Sequence, residues 1–490
     1  MAKVKAWKHG ESGEPGFSSD FGIVQKAVLQ VTDIKTNRNK YYAIELHSHG
    51  AENGVASKGP FRVFTHYGRT DDLERDPDAG QKECRYFNSL PEAQGCYQQI
   101  YREKTSTAKG YKELSLASSK IGSQRARGTS AGEVDAKTIE RLAKAKAEAA
   151  AKNGKPIEEP KRLDLHAGVQ DIVRYIYAEA TNALTSTVAA KITANGIETP
   201  LGVLTIGQIE KGEAILTEMY GVFQKKPRTM AQQLEDLSGE FYTVVPHRIG
   251  RTRDAIAAAV INTSEAFGQK QETLQLMKDM LQVNGEEGSV LYDAQIDAQY
   301  LSLKADLHYL DRESPTFRQI ADHVVDSQVK TKGIKVQNIF GVKRPGEWDD
   351  FRSDIDNQRL MFHGSRIQNW VGILSRGILM PKIVVNLGVH RTDAGWLGHG
   401  IYFGDASCTS CFYTTPGKKK TRLMAVTRVA LGKMKDYTKI TYGLDGPPDG
   451  YHSCHGVRNN GKNGSQFADD EYVIYDPKQH RQEYLVEFTA

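Results

Sequence analysis

The sequence predicts a multidomain α+β protein in which a β-rich unit, an all-helical bundle and a mixed α/β unit follow one another. Three observations carry this reading. The 490 residues exceed the roughly 100–200 that one ordinary core organises. The apolar spacing changes along the chain from period 2 to period 3.6 and back to short strand-like runs. A stretch rich in Ala, Lys, Glu, Ser and Gly separates the first pattern from the second. The expected boundaries are 1–117 for the β-rich unit, 118–162 for a basic linker, 163–330 for the helices and 331–490 for the last unit.

Lys40 to His47 alternates, with Tyr42, Ile44 and Leu46 on one face, and Phe61 to Thr65 reads as its partner strand across a Gly/Ser/Asn loop. In the linker, Glu133 to Lys152 has helix propensity but no apolar stripe. The helical region carries three stripes: Val169, Ile172, Val173 and Ile176; Leu216, Met219, Tyr220 and Phe223; Leu274, Met277 and Leu281. These are core-forming faces and carry no chemistry. Beyond them, Ile401–Phe403, Leu423–Val429, Tyr472–Tyr475 and Tyr484–Phe488 read as strands between glycines and charged turns.

Composition narrows the function classes. Hydrophobic residues at 39% and charged residues at 26% describe a globular chain, and no apolar run approaches the ~18 residues of a membrane span. Met1 to Gly10 has no apolar core of a secretion signal. Five scattered cysteines predict a reducing compartment without a disulfide framework. Residues 101–162 hold 15 Lys/Arg against 8 Asp/Glu, a local excess larger than the whole-chain charge of +5. Such a segment either holds phosphate backbones without reading sequence or is a solvated linker.

Site-like residues concentrate in the last unit. His363-Gly364-Ser365 follows the apolar pair Met361-Phe362, and Gly398-His399-Gly400-Ile401-Tyr402-Phe403 comes some thirty-five residues later. Ser407, Ser410 and Tyr413 follow, then Asp469-Asp470-Glu471 at the entry to a strand. Glycines beside strands let backbone approach a ligand, and an acid opening a strand can face a cleft. By periodicity alone the same residues serve equally as turns. Cys408 and Cys411 make a CxxC with no second pair at zinc spacing, so no metal site is expected.

Leu360–Ser365, Gly400–Phe403 and Glu471–Asp476, with Asn369–Gly377 and Val429–Gly432, together resemble the catalytic domain of the poly(ADP-ribose) polymerases. Thr199–Leu204 with Gln208-Ile209, and Phe241–His247, are similar to that family's helical regulatory domain. The N-terminal unit resembles a WGR domain, with Tyr67-Gly68-Arg69 in place of Trp-Gly-Arg and with Lys104-Thr105 and Gly110-Tyr111 downstream. The resemblance implies a diphtheria-toxin-like ADP-ribosyltransferase fold for the last unit, of the DNA-dependent type lacking zinc fingers. It implies a catalytic set of His363, Tyr402 and Glu471. Gly364 and Ser410 would clamp the nicotinamide carboxamide of NAD+, Tyr413 would stack on the pyridinium ring and Tyr402 would pack opposite. His363, Ser365 and Asn369 would hold the adenosine side. Glu272, Gln275 and Asp279 would lie on the helix nearest the adenosine.

Those residue types suit cleavage of the nicotinamide–ribose bond, which develops oxocarbenium character that a fixed carboxylate stabilises. The implied function is NAD+-dependent ADP-ribosyl transfer to acceptor proteins, the enzyme itself included, as polymer or as single units. Activation by DNA ends or nicks would run through Tyr67 and Arg69 on a 5′-phosphate; a core aromatic and a surface charge are the other readings of that pair. A monomer is expected, placed in the nucleus of a eukaryote or in a bacterial cytoplasm. Thr409 and His399 stand where DNA-activated members carry lysine, and the loop from Pro381 to Trp396 looks closer to a vault-associated relative. These departures set polymer elongation apart from NAD+ cleavage. The alternative from another class is a catalytically quiet DNA-end-binding scaffold, against which the intact His363, Tyr402 and Glu471 argue.

Overall fold

Residues 40–47 become the centre of the first sheet. The structure is a computed structural model that describes residues 4–49, 60–127, 163–193, 196–247, 249, 252–284, 295–330, 332–380 and 395–490. The linker segment 133–152, with its helix propensity, and the loop segment 381–394 lie outside the described residues. The chain divides into two compact units: Met1–Glu159 with Thr185–Asn262, and Pro160–Leu184 with Thr263–Ala490. The helical region expected over 163–330 contributes to both.

In the first unit, β1 (Trp7–Lys8), β2 (Phe21–Asp33), β3 (Arg38–His49), β4 (Phe61–Arg69), β5 (Gln81–Phe87) and β6 (Lys112–Glu113) form one sheet in the order β1-β5-β4-β3-β2-β6. The register places Ile44 opposite Thr65 and Leu46 opposite Val63. Tyr42, Ile44 and Leu46 join Leu29, Val31 and Val63 in a core closed by the helix Leu90–Thr105. Ser89 caps that helix by accepting from Glu92 N at 3.4 Å, and Pro91 sits where a missing N–H costs nothing.

The opposite face of this sheet is buried too, and it is polar. Glu45 and His47 are both fully buried and 2.8 Å apart. Ser123 donates to Glu45 from its backbone N at 2.8 Å and from its hydroxyl at 2.5 Å, while Lys26 Nζ donates to Ala126 O at 2.7 Å. Residues 118–127, expected to open the linker, are therefore part of the fold. β7 (Leu116–Ser119) pairs with β10 (Gly202–Leu204) in a small sheet that includes β8 (Lys191–Thr193) and β9 (Gly196–Glu198). A polar, glycine-containing composition hid this, because the segment is held by hydrogen bonds to a buried carboxylate rather than by an apolar stripe.

The helices Ile206–Lys225, Met230–Val244 and the short Arg253–Ala258 also belong to the first unit. Met230–Val244 lies on β2, with Thr32 N donating to Thr243 Oγ1 at 2.7 Å. Buried Gln208 ties the two parts together, accepting from Ser115 N at 3.0 Å and donating to Val244 O at 3.0 Å.

The second unit is built on nine strands: β11 (Asp306–Tyr309), β12 (Lys335–Lys343), β13 (Gln358–Gly364), β14 (Ile401–Gly404), β15 (Arg422–Ala430), β16 (Met434–Tyr437), β17 (Ser453–Gly456), β18 (Glu471–Ile474) and β19 (His480–Thr489). Their order is β11-β12-β19-β15-β13-β14-β18-β17-β16, antiparallel except for β16 and β17. The four runs read as strands in the sequence fall in β14, β15, β18 and β19, with Tyr475 one residue beyond the end of β18. The helix Pro315–Asp326 seats Ile320 and Val324 against Phe362, Met424 and Val486. The helix Ser264–Asn284 belongs to this unit and meets the helix Trp370–Arg376. Among the described residues no helix is long and apolar enough to cross a membrane.

Candidate active site

The strand order makes β13, β14 and β18 neighbours, and these carry His363, Tyr402 and Glu471. Phe362 is opposite Gly404, and Gly404 opposite Glu471, so three strands align one row across the sheet. His363 Nδ1–H donates to the carbonyl of Tyr402 at 3.0 Å, which fixes the ring against β14. The Tyr402 hydroxyl donates to Gly398 O and accepts from Leu397 N, both at 2.9 Å, which ties down the turn before β14. At Gly398 (φ +75°) the left-handed backbone and the adjacent Leu444 main chain leave no room for a side chain.

The short helix Ser407–Cys411 lies against the end of β13. Ser410 Oγ donates to Phe362 O at 3.0 Å, and a Cβ on Gly364 would collide with the Ser410 carbonyl. Gly364 is the residue that allows this close approach of backbone to backbone. Asn369 Nδ2 donates to Ser365 Oγ at 3.1 Å, linking two of the residues expected on the adenosine side.

A cleft of about 370 Å³ opens beside these elements, and Tyr413 and Glu471 both line it with Arg366, Trp396, Thr409 and Asp469. The size suits an organic ligand. Glu471 is 9% exposed at the start of β18. Its two acidic neighbours are engaged by basic groups. Asp470 accepts from His455 Nε2 at 3.0 Å and from Arg458 N at 2.9 Å, and Asp469 is 3.0 Å from Lys330 Nζ. Asp405 sits in the same carboxylate-rich surrounding, and burial, then Asp470, pushes its carboxyl up.

The helix Ser264–Asn284 reaches this region through charge pairs. Arg366 NH1 meets Glu272 Oε2 at 2.7 Å. Burial pushes the Glu272 carboxyl up, while Arg366 and Asn369 pull the other way. Arg376 holds the buried Asp279 through two bonds of 2.7 and 3.0 Å, and Gln275 donates to the same carboxylate at 2.9 Å. Asp469, from the acidic run read as site-like, lines the cleft, whereas Arg366 and Trp396 are cleft residues that the sequence reading did not single out. Arg366 follows Ser365 directly, which is the available signal; Trp396 gives none.

Tyr67 and Arg69 stand on β4 of the first unit. Tyr67 stacks on Tyr42 with centroids 5.0 Å apart and planes within 8°, and its hydroxyl donates to Glu83 Oε1 at 2.7 Å. Arg69 is about one-third exposed and 3.1 Å from Asp71 Oδ2. The tyrosine is thus a half-buried wall and the arginine an ion-paired cation. None of the five cysteines is joined in a disulfide.

Three family models match the chain: the WGR domain over 25–117, the poly(ADP-ribose) polymerase regulatory domain over 164–300, and the poly(ADP-ribose) polymerase catalytic domain over 314–468. The last match ends three residues before Glu471. The chain is 32% identical over 322 residues to the protein mono-ADP-ribosyltransferase PARP4 of Homo sapiens, covering 66% of this chain and 18% of that protein. It is 26% identical over 509 residues to poly [ADP-ribose] polymerase 2 of Homo sapiens, covering 94% and 79%. It is 29% identical over 324 residues to the protein mono-ADP-ribosyltransferase PARP3 of Gallus gallus, covering 59% and 58%. The chain belongs to the poly(ADP-ribose) polymerase family.

Proposed function

We propose that this chain is an NAD+-dependent protein ADP-ribosyltransferase that releases nicotinamide and is switched on by DNA ends or nicks. The observation that carries the reading is the meeting of Tyr413 and Glu471 in one cleft, beside the backbone cradle of Gly364 and Ser410. Similarity to relatives named both as polymerases and as mono-ADP-ribosyltransferases supports the same chemistry.

In this reading the nicotinamide carboxamide bonds the Gly364 backbone and the Ser410 hydroxyl, whose hydrogen then leaves Phe362 O. Tyr413 stacks on the pyridinium ring, Tyr402 packs opposite, and His363, Ser365 and Asn369 hold the adenosine half. Glu471 orients the nicotinamide ribose and stabilises the positive charge that grows at the anomeric carbon as the C–N bond breaks. An acceptor oxygen, from another protein or from this one, forms the new bond to that carbon and its proton passes to solvent. The catalytic step assigned to these residues needs no metal.

DNA enters through the first unit, where Arg69 exchanges Asp71 for a 5′-phosphate and Tyr67 offers its ring edge to a terminal sugar. In the second unit, Glu272 engages Arg366 and Asn369 beside the cleft, so loosening of the Ser264–Asn284 helix would release both. A monomer in the nucleus of a eukaryotic cell suits this reading.

The test is incubation of the purified chain with labelled NAD+, with and without 5′-phosphorylated nicked DNA, resolved on a gel. DNA-dependent label is expected, as a smear for polymer or a sharp band for single units. DNA binding without any label would favour the scaffold and overturn the enzyme.

A further inference from the structure

The N-terminal edge of the first sheet brings together three side chains that the transferase reading does not use. Trp7 of β1 pairs with Cys84 of β5, and His9 N then donates to Lys82 O at 2.9 Å, which carries the histidine along the same edge. The chain turns back after Gly10, and Glu14 returns to accept from Gly10 N at 2.6 Å. Donor atoms of His9, Glu14 and Cys84 come within 4.8 Å of one another.

Two of these separations, both measured from His9 Nδ1, fit one particular chemistry. Four-coordinate tetrahedral zinc, with bonds of about 2.3 Å to sulfur and about 2.05 Å to nitrogen or oxygen, sets neighbouring donors about 3.6 Å (S to N) and about 3.3 Å (N to O) apart. Here Cys84 Sγ lies 3.7 Å from His9 Nδ1, and His9 Nδ1 lies 3.3 Å from Glu14 Oε1. We propose that His9, Glu14 and Cys84 form a zinc site that pins the N-terminal segment to β5, with the fourth position open to water or an exogenous ligand. A thiolate with an imidazole selects zinc over magnesium or calcium, which take oxygen donors.

The surroundings support the assignment. The Tyr86 hydroxyl donates to Glu14 Oε1 at 2.6 Å, and with the Gly10 amide it fixes the carboxylate from outside the donor set. The His9 ring is set edge-on to Phe64, with centroids 5.7 Å apart. Cys84 is fully buried at the inner end of the cluster, so the sulfur is held in place by the sheet.

The experiment uses the full chain, stripped with a chelator under reducing conditions and titrated with zinc alone by calorimetry. Cobalt substitution serves as the spectroscopic readout. One zinc per chain is expected, with a thiolate-to-cobalt charge-transfer band. His9→Ala, at a half-exposed side chain, should weaken binding by about tenfold or more, and Cys84→Ser should abolish the band. Circular dichroism checks both folds; should the buried serine fail to fold, the histidine variant decides. No stoichiometric zinc, or zinc binding and a cobalt spectrum indifferent to His9→Ala, would overturn the site and leave a hydrogen-bonded triad.

Discussion

Glu45 and Glu471 are both buried strand carboxylates, yet they do opposite things with their charge. Glu45, in the centre of the first sheet, is enclosed by His47, by Ser123 and by the field of Lys26. Burial alone would raise its carboxyl, but those contacts outweigh it and hold it below the ordinary carboxylate value. Glu471 stands at the end of a strand, shares its row with Gly404, and fronts a cleft of about 370 Å³. The difference teaches that burial of an acid is not a mark of function. What separates the two is space: one carboxylate is filled around by its own chain, and the other faces room for a ligand.

That comparison can be broken most forcefully at Glu45. Glu45→Ala leaves the buried Lys26 without the carboxylate that faces it and takes the acceptor from His47 and Ser123, and removing one partner of such a buried set costs about 3–5 kcal/mol. A large fall in the melting temperature of the chain is expected; an unchanged melt would show that the network contributes nothing. The same network sets the acid response. Glu45 is lowered in the fold, so its contribution is present above about pH 4.5 and is lost as pH falls towards the folded value. His47 is lowered chiefly by burial, so the unfolded chain takes up its proton first below 6.5. Both act in one direction, and thermal melts should weaken steadily from pH 7 to pH 4. Melts flat across that window would contradict the assignment.

Asp279 gives a sharper test, because it is also a buried carboxylate but one tied to the helix beside the cleft. Asp279→Ala removes the two-bond clasp of Arg376, and DNA-independent turnover should rise by about tenfold as the helix loosens. Equal basal rates in variant and parent would remove the helix from regulation. Arg69→Ala should weaken binding to nicked DNA and reduce the salt dependence of that binding by about one phosphate contact, measured by titration at several ionic strengths. The smallest effect is expected at Ser410. Ser410→Ala loses one neutral hydrogen bond to the ligand, worth a rise in KM of about 2- to 10-fold, and a larger fall in kcat than in affinity would give the hydroxyl a different role.

How much of this was legible depended on range in the sequence. Tyr42, Ile44 and Leu46 announced their strand, and the stripes at Val169–Ile176 and Leu274–Leu281 announced their helices, because such periodicity is local. His363, Tyr402 and Glu471 lie on three strands made adjacent only by the sheet order, and resemblance supplied what spacing could not. The polar face of the first sheet was not legible: Glu45 is closed by Ser123, which is 78 positions away. The meeting of His9, Glu14 and Cys84 was hidden for the same reason, since an edge strand pairs residues 75 apart. The helical region gave its helices by pattern, but nothing in that pattern told which of them would join which unit.

The most direct test of the central claim is the rate of nicotinamide release by Glu471→Gln against the parent chain, with nicked DNA and with the affinity for a non-cleavable NAD+ analogue measured alongside. Loss of the charge that stabilises the oxocarbenium-like transition state should lower turnover by about 10²- to 10³-fold, with analogue affinity within a few-fold and the melting temperature unchanged. Parent-like turnover in Glu471→Gln would contradict the account and return Glu471 to the class of structural carboxylates that Glu45 represents.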